Sequence, residues 1–486
     1  LENLIEKTVK FNAERRGSTM FFLKCTQCGE QFESYPPQYK CMKCDGLLEY
    51  KCDDKTLRTG KFVGPFTFWR YKKLLPKVRS IISMGEGGTP LLKMRRLAKN
   101  AGLGNLYFKD ETRNPTNSFR DRCAALLVSN AVDLGYKSVV CATNGNLGAS
   151  LAAYCAKSGL TCHVVVPKNV DMGKLAQMLI YNAVIEEYGE IVDDSLKRAN
   201  ELAREMSWYQ ASAEFNPLSI EALKTIAYEV YEQMGTPDWF IVPMGSGGTI
   251  YSVWKGFKEL EMKGEVNALP RMVGVQAEGC SPIVNAYMQN AQELVVQAKP
   301  STHALAILVK NPWYGKLALK TIRESRGIAI SVSDSEILYA EQEIAKLEGV
   351  FAEPASAATY AAFKKLVNQR VIDKKDEVVC LITGSGLKAT DILQALTKRK
   401  KTAIIGLELS TKEKILRILC ERDAYGYELW KRMEKVMTRA AIYQHLNELS
   451  KNGLISSYEK EGRKYFRITK RGMKALQAVD ALKLLL

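Results

Sequence analysis

The chain has 486 residues, 46% of them hydrophobic and 25% charged, with a formal net charge of +17; that length exceeds one average domain and suggests a large body with smaller modules. No run of 18 or more uncharged apolar residues occurs, so no membrane span is expected, and Glu2, Glu6 and Glu14 interrupt the N-terminal stretch before a signal-peptide core can form. The positive surplus suits either a polyanion partner or a solubilising surface, and part of it is concentrated at the end, with 17 Lys/Arg against 9 Asp/Glu between Thr411 and Leu486.

In chain order, the first chemistry is a pair of C-x-x-C corners, Cys25-Thr-Gln-Cys28 and Cys41-Met-Lys-Cys44, separated by 12 residues. Each corner places two thiolates on one tight turn. Two corners facing each other make a closed tetrahedral S4 site, which suits a structural zinc ion rather than a catalytic one. A zinc ribbon is therefore expected over residues 20–55. Cys52 lies just outside the pattern as a buried or spare thiol. Cys123, Cys141, Cys155, Cys162, Cys280, Cys380 and Cys420 are scattered among apolar residues and read as reduced core positions of a cytoplasmic protein.

From about Ser80 to Glu408, short β-branched runs alternate with helical patterns. Ser138–Ala142, His163–Val166, Trp239–Val242, Met272–Val275 and Val378–Ile382 read as buried strands with helices on both faces, an open α/β body. Glycine-rich or polar turns follow three of them, at the strand ends where ligands bind in such sheets. Thr143–Ser150 carries Asn144 and Asn146, which can grip an anion or a ring substituent. Gly245, Ser246, Gly247, Gly248 and Thr249 can cradle a phosphate with backbone N–H groups, or simply allow close packing. Thr383–Lys388 offers a hydroxyl to a ring nitrogen or an anion. The spacing fits neither a dinucleotide fingerprint nor a G-x-x-x-x-G-K-[ST] loop.

Together with Asn114-Pro-Thr-Asn-Ser-Phe-Arg-Asp-Arg122, Lys109-Asp-Glu111, Asn216-Pro217 and Glu353-Pro-Ala-Ser-Ala357, these turns resemble, in order, the motifs of the threonine synthase family of pyridoxal-phosphate (PLP) enzymes. The resemblance covers about residues 23–408 and implies a fold-type II, tryptophan synthase β-like body over 56–408. It implies that Gly245–Thr249 holds the PLP phosphate, that Asn146 meets the ring hydroxyl, that Phe119 flanks the ring and that Thr383 faces its nitrogen. Lys109, Thr116, Ser118 and Asn144 would line the O-phosphohomoserine side.

Family enzymes bind PLP as a Schiff base on a lysine, and Arg120 stands at that position here. A guanidinium is delocalised and always charged, so it cannot supply the free amine that attacks an aldehyde. No catalytic residue is therefore assigned, and any PLP present would be held without a covalent bond. Asn117 replaces a family glycine, Leu147 a hydroxyl-bearing residue, and Ser219 an arginine common in relatives. The reading is a pseudoenzyme that binds an anionic small molecule and regulates DNA. The alternative is a threonine synthase with an atypical site, converting O-phosphohomoserine to threonine and phosphate.

The tail, 409–486, restarts a helical pattern at Glu413–Cys420 and Asp423–Trp430. Thr438 can cap a helix with Ile442, Leu446 and Leu449 on one face, followed by a hairpin turning at Glu461-Gly-Arg463 and a last helix from about Lys470 to Leu484. This order resembles PadR-like winged-helix regulators, which implies double-stranded DNA as partner. Arg439, Tyr443, Gln444 and His445 on the capped helix would contact the duplex, with Arg463 and Lys464 on the wing. Both resemblances imply a homodimer.

Overall fold

The computed structural model describes residues 21–389, 411–433 and 438–484, so the expected boundaries at 20 and 408–409 lie outside the described residues. The chain forms two compact units, Leu1–Thr390 and Asp391–Leu486.

Three short antiparallel strands open the first unit: β1 (Phe21–Cys25), β2 (Gln31–Glu33) and β3 (Leu48–Cys52), in the order β2-β1-β3. Phe21, Leu23 and Cys25 alternate inward along β1, the period a half-buried strand requires.

The body follows as an α/β array. An antiparallel edge strand β4 (Leu91–Lys93) pairs with β5 (Leu106–Asp110) and leads to α1 (Arg120–Asp133). Next come β6 (Ser138–Ala142), α2 (Asn146–Ser158), β7 (Thr161–Val166), β8 (Val184–Glu187), α3 (Val192–Glu205) and β9 (Tyr209–Gln210). Helix α2 stops at Gly159, whose φ of +74° is the left-handed conformation that commonly closes a helix. The chain continues through α4 (Leu218–Met234), β10 (Trp239–Pro243), α5 (Gly248–Lys263), β11 (Arg271–Ala277), β12 (Ile328–Val332), α6 (Asp334–Glu348), α7 (Pro354–Asn368) and β13 (Val378–Ile382). Ser333 and Glu336 form a reciprocal capping box that starts α6.

Two sheets result. One is parallel, in the order β8-β7-β6-β9; the other runs β12-β11-β10-β13-β5-β4 and is parallel except for β4. Every residue of β10 and β13 is buried, which is why both read as continuous apolar runs instead of alternating ones. All five strands expected from the sequence are present. Three of them, β6, β10 and β13, deliver turns at their C-terminal ends, and those turns build the site.

The second unit has its own core of Ile415, Leu419, Leu429, Ile442, Leu446, Leu449 and Phe466. A helix over 411–421 precedes β14 (Ala424–Tyr425), α8 (Gly426–Arg432), α9 (Arg439–Lys451), β15 (Ile455–Lys460), β16 (Arg463–Ile468) and α10 (Lys470–Leu484). The sequence suggested a helical run through 423–430. Instead Ala424 and Tyr425 pair with Phe466 and Tyr465 on the open edge of β16, so α8 starts only at Gly426. Cys420 also departs from expectation: it is exposed, because Ile415, Leu416 and Leu419 take the inner face of its helix. Cys52 is half-buried, and the other six scattered cysteines are buried as expected. Among the described residues no helix is long and apolar enough to cross a membrane.

Candidate functional site

At the front, the ligand atoms of Cys25, Cys28, Cys41 and Cys44 lie within 4.8 Å of one another. The sulfurs of Cys25 and Cys44 are 3.5 Å apart and those of Cys28 and Cys41 3.7 Å. A tetrahedral zinc with Zn–S near 2.3 Å places its sulfurs about 3.8 Å apart, so the four thiols fit that ion. The Gln27 and Lys43 amides donate to Cys25 and Cys41 Sγ at 3.4 Å. Burial opposes ionisation of Cys25, but the Cys28 and Gln27 amides outweigh it and bring the thiol down to about 7. Gly46 is required here, since a Cβ would stand 2.9 Å from Cys25 Sγ. By geometry and donor set the cluster is compatible with a structural metal site.

The second site lies where the turns after β6, β10 and β13 meet the start of α1. Phe119, Arg120, Asn144, Asn146, Gly245, Ser246, Gly247, Thr249 and Thr383 line one cavity, while Gly248 sits just behind them as the first residue of α5. Gly247 has φ +88°, and a Cβ there would meet the Tyr314 carbonyl oxygen at 2.9 Å. Only glycine permits this turn, which points the first amides of the 16-residue α5 outward. Those amides have no partner within a helix and sit at the positive end of its dipole. The result is an anion seat.

Arg120 is the first residue of α1. Its guanidinium stacks 4.7 Å from the Phe119 ring centre, and Nη1 reaches Cys123 Sγ at 3.9 Å. Among the described residues no carboxylate stands at ion-pair distance from it. Glu214, in the same wall, has its carboxyl raised by burial, with Arg120 opposing. The space remaining is about 70 Å³, well under the roughly 300–1,000 Å³ of pockets for drug-sized ligands. A phosphate-sized group fits this volume.

Glu353 is the hub that sequence reasoning missed. Its carboxylate accepts from Asn146 Nδ2 at 3.1 and 3.0 Å and from Thr383 Oγ1 at 3.1 Å, and Lys174 stands 3.4 Å away. Asn146 Oδ1 and the Ser118 hydroxyl are buried without partners. An unsatisfied acceptor beside the anion seat is what a polar ligand atom would complete. The Glu353-Pro-Ala-Ser-Ala357 motif was the available signal, but its contacts lie 207, 30 and 179 residues away in sequence and cannot be read from spacing.

Not every expected site residue reaches the cavity. Lys109 is wholly buried elsewhere, its Nζ donating to Thr89 O at 2.7 Å, Glu229 at 2.6 Å and Gln233 at 2.9 Å. Burial pushes its amine down despite Glu229 and Glu111. Thr116 turns inward to Asp121 at 2.6 Å and Ser150 at 2.9 Å. Asn144 does line the cavity and donates to Leu308 O. Asn117 adopts φ +62°, a conformation asparagine tolerates better than most residues. Among the described residues no lysine lines the cavity. Lys174 is committed to Asp171 at 2.6 Å and to Glu353, and Lys388 donates to Thr116 O at 2.8 Å.

In the second unit Thr438 caps α9 through the Ala441 amide. Arg439 lies over the rings of Tyr427 and Trp430 at 4.7 and 4.8 Å, a stacking that holds its charge near the helix start. Tyr443 and Gln444 are exposed, whereas His445 is half-buried with Nδ1 unpartnered. The wing turns at Glu461 and Gly462, both at positive φ, which presents exposed Arg463 and Lys464.

Comparison with known proteins adds the lineage. Residues 82–384 match the family described as pyridoxal-phosphate dependent enzyme, and residues 415–478 match the transcriptional regulator PadR-like family. The chain is 39% identical over 406 residues to a threonine synthase of Methanocaldococcus jannaschii, covering 82% of this chain and 99% of that one. It is 41% identical over 376 residues to one from Methanosarcina acetivorans, covering 76% and 92%. Among solved structures, maize serine racemase matches with a TM-score of 0.55 at 20% identity, over 64% of this chain and 92% of that one. A threonine deaminase from Solanum lycopersicum gives 0.53 at 20%, over 61% and 83%. Those structural likenesses establish the fold-type II body.

Proposed function

Because this chain belongs to the threonine synthase family of pyridoxal-phosphate dependent enzymes, we propose that its glycine-loop cavity binds PLP or an amino-acid phosphate, and that the PadR-like tail binds DNA under the control of that ligand. One observation carries the reading. Arg120, a permanent cation without an ion-pair partner among the described residues, lines the same cavity as the anion seat at the head of α5. Glycines 245, 247 and 248 with Ser246 and Thr249 would hold the phosphate. Asn146 and Thr383 would meet the polar edge of the ring, and Phe119 its flank.

PLP, when bound, supplies an electron sink for carbanion chemistry at an amino acid. On the proposed match of residue 120 to the family lysine, the residues of this chain do less. Arg120 pairs with an anion but neither attacks a carbonyl nor exchanges a proton near neutral pH. Glu353 fixes Asn146 and Thr383, and Phe119 orients the guanidinium. The domains would divide as ribbon 20–55, body 56–408 and winged helix 409–486, with the tail reading paired half-sites as a homodimer.

Retained threonine synthesis is the second reading, and the comparisons favour it over lost catalysis, since the similarity runs along 99% of a threonine synthase. That reading needs another amine. Lys388, buried and pushed down to about 8 chiefly by that burial, is one candidate.

Spectra of the purified chain with PLP, before and after borohydride, test the two together with phosphate release from O-phosphohomoserine. Saturable binding without a reducible chromophore or turnover supports the first reading; a chromophore mapped to a lysine, with turnover, replaces it by the second. For the tail, duplex binding should weaken with salt and with Arg439→Ala or Arg463→Ala. Binding that ignores salt and both substitutions would remove DNA from the proposal.

A further inference from the structure

A second, larger cavity lies between the loop of Tyr39 and Lys40 and the C-terminal end of α3. Its volume is about 380 Å³, inside the range of small-molecule sites. Among the described residues, none that lines it also lines the glycine-loop cavity. Tyr136, Trp208 and Phe215 supply aromatic walls, and Tyr39 closes it from the loop between the two cysteine corners.

These walls are held in place. Trp208 stacks on His163 with ring centres 3.7 Å apart, Phe215 meets Trp313 edge-on at 5.0 Å, and Tyr136 meets Tyr209 at 5.3 Å. A preformed aromatic slot favours a flat ring over a flexible chain.

The polar groups that face it have spare capacity. The Tyr39 hydroxyl is buried without a well-formed hydrogen bond, although the Gln210 backbone approaches it. Among the described residues the Asn200 amide and the Arg204 guanidinium have no partner, and both line the cavity. Lys40 also lines it but is already paired with Asp45. Two cations and no carboxylate therefore surround the space. Arg204 further sits in the last turn of α3, where helix carbonyls leave it electrostatically favoured.

We propose that this cavity binds a planar ring-bearing anion: the ring lies among Tyr136, Trp208 and Phe215, the negative group meets Arg204, and Tyr39 with Asn200 hydrogen-bonds the ring edge. Occupancy would tie the ribbon to the α/β body. A nucleotide and an aromatic carboxylate share this chemistry, so the probes separate them.

The test is calorimetric titration of the full, zinc-loaded chain with adenosine monophosphate, indole-3-acetate and phenylacetate, each against its uncharged counterpart (adenosine, indole-3-acetamide, phenylacetamide). At least one anion should bind saturably, and at least about fivefold more tightly than its counterpart, the upper range for an exposed ion pair. Arg204→Gln, at an exposed position that leaves the core intact, should erase that preference. Ala203→Phe, which fills the cavity, should abolish binding with the melting temperature and zinc content unchanged. Saturable binding by none of the anions, equal affinity of charged and uncharged partners, or a preference that survives Arg204→Gln would overturn the proposal. If Ala203→Phe misfolds, the Arg204→Gln comparison decides alone.

Discussion

On the proposed match of residue 120 to the family lysine, that position governs what the body can do. Its neighbours hold the side chain at the cavity: Phe119 stacks on it, Cys123 lies one turn along, and Glu214 lines the same space. Exchanging a guanidinium for an amine changes chemistry more than shape, so Arg120→Lys should yield a PLP chromophore that borohydride reduces onto residue 120, detectable by peptide mass. The unaltered chain should give no label at that residue. Glu341 is a second informative position. Both its oxygens are buried without partners, and burial, with the Glu353 charge nearby, raises its pKa to about 7. A carboxyl whose folded value exceeds its unfolded one contributes stability that is complete below about pH 4.5 and is lost as pH rises through 7. Glu341→Gln should therefore flatten the decline in urea stability between about pH 4.5 and 7, gaining roughly 1–3 kcal/mol at the upper end. At this scale the four-cysteine cluster and a place for Arg120 in the cavity lining were legible, because spacing and side-chain chemistry are local properties. Glu353 was not, since its role is created by partners that only the fold brings near.

Among the elements, α5 links the most chemistry. Its head forms the proposed anion seat, and its flank is fastened to β3, where Tyr251 donates to Glu49 and Lys255 to the Tyr50 carbonyl, and to α4, where Lys255 donates to Glu221. The turn into α5 depends on Gly247, so Gly247→Ala meets both an unfavourable φ and the Tyr314 carbonyl. PLP or phosphate affinity, measured by calorimetry, should fall at least about tenfold, roughly the loss of one charge-assisted hydrogen bond. The strands that were readable from sequence are the fully buried ones, whose β-branched runs admit few other structures. Short edge strands such as β4 and β14 were invisible, because two or three residues carry no period. Lys109 was misplaced for a related reason: a lysine beside strand-end motifs resembles a ligand group until Glu229, 120 residues away, is seen to pair with it.

Across the whole first unit, the metal ribbon is part of the body rather than an appendage. Phe21, Leu23, Leu48 and Tyr50 belong to the same core cluster as Leu126, Tyr228 and Phe257. Removing metal with a chelator should therefore lower the melting temperature of the entire body in a single calorimetric transition. Two resolved transitions, with the body's unmoved, would show the ribbon to be independent. The second unit has its own core and should keep its own transition under the same treatment. Beneath residues 114–120, Arg122 is clasped by Glu111 and Glu229 with Lys109 alongside, all wholly buried. Such a lattice, once broken on one side, costs several kcal/mol, so it resists drift and keeps the segment above it in register. On the proposed reading the consequence is evolutionary: an AGA or AGG arginine codon is one base from lysine, and the intact scaffold would then receive that amine without rebuilding, leaving covalent capture of an aldehyde one mutation away.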